Sequence, residues 1–229
     1  MQQRFTRFAL LTLLALAAAC DDDDPTEPEQ QTAQLRIVNA AEIADVQVRR
    51  VGTTAPLAQD LDFRGVTQSC VEVPTGEHAF VFSEADVLEL ATTAATFEAG
   101  RRYTAFLVAS DGQRRAFIVS DNETASAGNN ALRLMNATST AGDVYVTPPG
   151  TAPAPGFLAA GNAGPLAMSN LAPGYVHRST DHTQVRLFNT GTTTNPRADI
   201  ALTGLPTSRL ASVVFTNAAP TAFLVTPCP

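Results

Sequence analysis

From residue 34 onward the chain is written in short segments of alternating apolar and polar positions, each ended by Gly, Pro, Asn or Asp. No stretch carries a sustained helical period. Alternation with a period of two places successive side chains on opposite faces of an extended strand, so these segments read as strands. The pattern predicts strands over 34–39, 45–50, 70–73, 77–83, 88–97, 102–109 and 116–119. Pro74-Thr75-Gly76, Glu98-Ala99-Gly100 and Ser110-Asp111-Gly112 lie between them as turns. Gly accepts positive φ, Pro fixes φ, and Asp-Gly favours the tight turn of a hairpin. Turns at this spacing suit a β-sandwich.

The second half repeats the first. Leu35-Arg36-Ile37-Val38-Asn39-Ala40 returns as Leu132-Arg133-Leu134-Met135-Asn136-Ala137, and Asp45-Val46-Gln47-Val48 returns as Asp143-Val144-Tyr145-Val146. Further counterparts are Pro74-Thr75-Gly76 with Ala172-Pro173-Gly174, 103–109 with 210–215, and 116–119 with 222–225. The drifting offset means that loop lengths differ while strand order is shared, as in an internal duplication. The expected fold is all-β, with two tandem sandwich modules at 34–121 and 131–229 joined by a polar linker at 122–130.

The amino terminus has a different texture. Arg4 and Arg7 precede an uncharged run from Phe8 to Leu16, then Ala17-Ala18-Ala19-Cys20 and four aspartates. The apolar run is well short of the roughly 20 residues that span a bilayer, and it has the layout of a secretory signal. Its small-residue end resembles the lipobox of bacterial lipoproteins. The resemblance implies removal of residues 1–19 and acylation of Cys20, which would fix the chain to a membrane of the cell envelope, the outer membrane or cell surface rather than the inner membrane. Residues 20–33 hold six acids, two prolines and almost no apolar side chain, so they are expected to form a disordered tether.

The first module resembles the bacterial family called domain of unknown function 4397. The likeness rests on Arg36–Ala40, Asp45–Val48, the Pro74–Gly76 turn and Ala99-Gly100-Arg101-Arg102-Tyr103-Thr104; in the second module it rests on Arg133–Ala137 and Asp143–Val146. It implies Ig-like sandwiches in an envelope setting and assigns no catalytic residue.

Composition narrows the chemistry. All 22 acids follow residue 20 while two of the 15 arginines precede it, leaving a formal charge of −9 after processing. That balance excludes the basic face a nucleic-acid partner needs. The chain has no lysine, which removes Schiff-base and P-loop chemistry, and no tryptophan. Beyond Cys20 only Cys70 and Cys228 remain, and in an exported chain they are expected to form a disulfide that fastens the C-terminus to the first half. Two free thiols or a metal pair are the alternatives, neither with a histidine nearby in sequence.

His177, Asp181 and His182 form the one cluster of ligand-type residues, a possible metal site without an evident fourth ligand. The plainer reading is a polar hairpin turn between Val176 and Val185. His78 is expected to face solvent. Glu84, Asp86 and Glu89 read as the wet side of a hairpin, and Arg101 as the neighbour of Glu98. Neither a Gly-x-Ser-x-Gly elbow nor a phosphate loop occurs. The expected protein is therefore not an enzyme and needs no cofactor. It is a lipid-anchored binding or structural module with a protein or glycan ligand as its possible partner. A carbohydrate-active or metal-assisted hydrolase using the histidine cluster, and a passive surface spacer, are the alternatives.

Overall fold

The structure, a computed structural model, describes residues 31–84, 88–110, 112–164, 174–206, 209–219 and 221–229. Cys20, the tether up to residue 30, and Asp86 lie outside the described residues. The first module contains β1 (Thr32–Ala40), β2 (Val46–Arg50), β3 (Pro56–Leu61), β4 (Val71–Pro74), β5 (Gly76–Glu84), β6 (Leu88–Phe97), β7 (Arg102–Ser110) and β8 (Gln113–Ser120). The second contains β9 (Asn129–Asn136), β10 (Gly142–Thr147), β11 (Leu158–Ala163), β12 (Val176–Ser179), β13 (Gln184–Asn189), β14 (Ala198–Ala201), β15 (Leu210–Phe215) and β16 (Ala222–Val225). A 3-10 turn, Pro155–Phe157, precedes β11. Among the described residues no helix is long and apolar enough to cross a membrane.

Each module is an Ig-like sandwich of two four-stranded sheets. In the first the strand orders are β4-β1-β7-β8 and β3-β2-β5-β6; in the second they are β12-β9-β15-β16 and β11-β10-β13-β14. Every strand of one module thus has a counterpart in the other, down to the parallel pairing of β1 with β7 and of β9 with β15. The duplication visible in sequence is a duplication of topology.

Alternation builds the two inner cores. Leu35 and Ile37 of β1, Phe80 and Phe82 of β5, and Tyr103, Ala105 and Leu107 of β7 fill the first sandwich. Leu132, Leu134, Val144, Val146, Val185, Leu187, Val213 and Phe215 fill the second. The intervening residues of β1, β7, β9 and β15 are buried as well, because the modules pack face to face. Val38, Ala40, Phe106, Val108 and Val119 meet Met135, Ala137, Val214 and Val225 in a third core, flanked by Phe117 and Phe223. Strand register makes the two sides of this seam equivalent. Val38 stands opposite Phe106 and Phe106 opposite Phe117, while Met135 stands opposite Val214 and Val214 opposite Phe223. The same patch of each module faces its counterpart, as in a two-fold dimer. Strands buried on both faces explain the near-continuous apolar runs at these four positions.

Several expectations need correction. β1 takes in Thr32 and Ala33, and β9 takes in Asn129 and Asn130, which shortens both tether and linker. β3, β11 and β14 carry no clear alternation and are additional strands. The Pro74–Gly76 turn follows β4, whereas Gly174 precedes β12, so the Ala172-Pro173-Gly174 counterpart does not hold; Ala172 and Pro173 lie outside the described residues. Val176 and Val185 do not frame a hairpin either. β12 pairs with β9 and β13 with β10 and β14, so residues 180–183 carry the chain between sheets.

Candidate functional site

Among the described residues the seam gathers a buried ion pair with its hydroxyl partners. Asp121 leaves the end of β8 with its backbone N–H donated to the Arg102 carbonyl at 2.8 Å. Its side chain enters the seam, where only 1 % of it is exposed, and meets Arg133 of β9 at 2.6 Å, itself 2 % exposed. Arg133 also donates to the Ser120 carbonyl at 2.6 Å and to Ser212 Oγ at 3.4 Å. Thr104 and Tyr175 donate their hydroxyls to the Asp121 carboxylate, Tyr175 at 2.9 Å. The half-buried Tyr175 ring lies 4.4 Å from the guanidinium carbon of buried Arg133, a cation–π contact. Burial pushes the Tyr175 hydroxyl well above its ordinary value near 10, and the neighbouring Asp121 charge adds to the rise. Sequence reasoning placed Asp121 at the edge of a linker; the structure makes it the buried anion of the seam.

Cys70 and Cys228 are bonded, with Cα atoms 6.0 Å apart, so the chain's end is fastened to the first module. Arg36 of β1 donates to Cys70 Sγ at 3.4 Å, and Arg102 donates to the Cys228 carbonyl at 3.2 Å. Burial lowers the Arg36 pKa, and the charge of Asp121 works against that shift.

At the opposite end of the strands a repeated asparagine sets the loops. Asn39 Nδ2 donates to the carbonyls of Ile43 at 2.7 Å and Leu61 at 2.8 Å, and its Oδ1 accepts from Ala41 N–H at 3.0 Å. Asn136 Nδ2 donates to Thr140 O at 2.9 Å and Ala163 O at 2.8 Å, and its Oδ1 accepts from Thr138 N–H at 3.1 Å. Each side chain replaces backbone partners that the chain loses as it leaves its first strand. Glu42 Oε1 then accepts the Ala218 N–H at 2.8 Å, joining the loops of both modules at this end. The paired aspartates of the repeat diverge: Asp45 is exposed at φ 53°, whereas Asp143 is buried and accepts from Asn162 and Gly191 N–H, each at 2.7 Å.

The histidines are dispersed. His177 lies on β12 with Nε2 3.4 Å from Glu123 and Nδ1 3.4 Å from Ser126 Oγ. This Glu-His-Ser string ties the linker to β12 on an open face. Both spacings exceed the roughly 2.6–3.2 Å of a working nucleophile–base pair. His182 packs edge-on against Phe157 with its Nε2 3.8 Å from Asp181. A hydrogen bond from the Ser179 side chain lowers the pKa of exposed Asp181. Among the described residues no three His, Cys, Asp or Glu side chains gather into a metal-binding group. His78 is half-buried with its ring 6.2 Å from Phe97 rather than solvent-facing, and Arg101 pairs with Glu98 at 3.3 Å.

Two open clefts mark the surface. One, about 450 Å³, runs along β3 and the crossing to β4, with Gln59, Asp60, Asp62, Thr67 and Gln68 among its lining. The other, about 490 Å³, lies at the end where the described fold begins and the chain stops, between Thr32, Arg101, Arg102, Asn122 and Pro229.

Fold and seam together define a tandem Ig-like sandwich protein, its two modules fused through one repeated patch. The family model described as Domain of unknown function (DUF4397) matches residues 43–147, so this span is similar to that family. The match starts just before β2 and ends with β10, so it covers seven strands of the first module and two of the second. No curated protein matches the chain.

Proposed function

We propose that the chain is a lipid-anchored protein of the bacterial cell envelope whose fused sandwiches act as a non-catalytic binding or structural module. Anchoring is supported by Ala17-Ala18-Ala19-Cys20 behind a short apolar run, and by the acidic, proline-bearing stretch that follows. Several acyl chains on Cys20 would hold where a single one is marginal.

The observation that carries the module reading is the direction of the fold. Thr32 and Pro229 line one cleft at one end of the strands. The loops set by Asn39 and Asn136 occupy the other end and are joined by Glu42. A body tethered at the first end presents the second, with the acid-lined cleft along β3 beside it. Its ligand class is a protein or glycan that hydrogen-bonds to carboxylates and amides.

The test is intact-mass analysis of protein extracted from membranes, alongside a Cys20→Ala variant. The expected result is a mature chain beginning at Cys20 with diacylglyceryl and acyl mass, and an unacylated variant released from the membrane. A chain that begins at Met1 and carries no lipid overturns the anchoring. Hydrolysis of a generic ester and glycoside panel, lost in His177→Ala, overturns the non-catalytic reading.

A further inference from the structure

Strand register maps two fastenings of the seam, the Asp121 cluster and the cystine, onto one another. Val71 of β4 stands opposite Leu35, and Val176 of β12 stands opposite Leu132. Cys70 and Tyr175 therefore hold the same position, one residue before those strands, and Arg36 and Arg133 are likewise equivalent. Val119 stands opposite Thr104 and Val225 opposite Ser212, so Asp121 and Cys228 both belong to the tail that follows a module's last strand. In each case the tail of one module is gripped by the other module at the same place. Tyr175 and Arg133 grip Asp121 through polar bonds; Cys70, beside Arg36, grips Cys228 through a covalent one.

We propose that the seam is a two-clasp latch: either clasp alone keeps the sandwiches closed, and releasing both swings them apart about residues 122–128. The charge balance gives the reason. With Asp121 in place, Arg133 is compensated, and a broken cystine leaves the closed seam at no electrostatic disadvantage. With Asp121 neutralised, Arg133 is an uncompensated buried cation that gains by reaching water, and only the covalent tie resists. Opening uncovers the faces that carry Val38, Phe106, Met135 and Val214, an apolar surface hidden in the latched form. The chemical release is thiol–disulfide exchange. A dithiol's thiolate attacks one cystine sulfur, its second thiol closes a cyclic disulfide, and Cys70 and Cys228 leave as thiols having gained two electrons and two protons.

Small-angle X-ray scattering on the chain from Cys20 onward, oxidised and with dithiothreitol, tests this for wild type and for Asp121→Asn. Both wild-type samples and oxidised Asp121→Asn are expected to share one radius of gyration. Reduced Asp121→Asn is expected to grow by about a quarter from its compact value. Arg133→Met, which strands the anion instead of the cation, repeats the pattern and decides if Asp121→Asn fails to fold. Amide exchange must stay protected in β2, β5, β10 and β13 throughout. Expansion of reduced wild type, expansion of either oxidised variant, or continued compactness of both reduced variants overturns the latch. Loss of outer-sheet protection together with closure does so too.

Discussion

Asn39 and Asn136 make the same three hydrogen bonds at the same corner of two different sandwiches. Each donates to the carbonyl four residues ahead, donates to the last residue of its module's third strand, and accepts from the N–H two residues ahead. The span to that third strand is 22 residues in one case and 27 in the other, so the bond survives a change in loop length. Asn→Ala at either site removes the donor to the buried carbonyl that ends the third strand, Leu61 or Ala163, and the acceptor of the buried N–H two residues ahead. A loss of about 2–4 kcal/mol is expected for each variant. Urea unfolding measures it, and amide exchange should rise in 41–45 for Asn39→Ala and in 138–141 for Asn136→Ala, each without affecting the other loop.

The buried pair of the seam should behave as a coupled unit. Removing one partner, by Asp121→Asn or Arg133→Met, leaves the other charge buried and is expected to cost about 3–5 kcal/mol. Replacing both together should cost clearly less than the two losses combined, because no uncompensated charge remains. Chemical denaturation of the two single variants and the double variant closes this cycle. Additive losses would show that the two side chains contribute separately.

Much of the architecture was legible because alternation is a local property. β2, β6 and β7 lie within a residue of where the pattern puts them. β3 was not legible: Pro56 opens it, its pairing with β2 is irregular, and Asp60 sits at φ 54°, so the alternation breaks where the strand does. β11 has the same interruption at Asn162, with φ 49°, and β14 spans only four residues. Asp121 was unreadable for another reason. Its polar neighbours in sequence are those of a linker, while the groups that bury it come from Arg133, 12 residues on, and Tyr175, 54 residues on. Asn39 and Asn136 were visible as a repeated letter, and only the loops they hold together reveal their task. The cystine was legible from the count of cysteines, but its equivalence to an ion pair needed the strand register.

The cystine should be separable from the fold it fastens. It links residues 158 apart, and closing so long a loop restricts the unfolded chain more than the folded one. Cys70→Ser with Cys228→Ser is expected to lower stability by about 2–5 kcal/mol while the far-ultraviolet spectrum stays unchanged. The oxidised protein should gain about 2 Da on reduction, the mass of two hydrogens. Free thiols in unreduced material, or an unchanged unfolding midpoint in the double variant, would contradict the fastening.

Tyr175 gives the seam a signature in alkali. Its hydroxyl is protonated in the folded state well above the ordinary tyrosine value near 10, first because burial penalises the phenolate and then because Asp121 repels it. A group whose folded pKa is raised contributes stability in full below its unfolded pKa and loses it as pH climbs toward the folded value. Stability should therefore fall as pH rises beyond about 10. Tyr175→Phe should start less stable at neutral pH, having lost its bond to Asp121, and should fall less steeply in alkali. Ultraviolet titration of the folded protein should show a tyrosine step that comes only as the structure gives way, and that step should be missing from Tyr175→Phe. Titration of a tyrosine near 10 in wild type, lost in Tyr175→Phe while the fold persists, would place the Tyr175 hydroxyl in water and detach it from the Asp121 clasp.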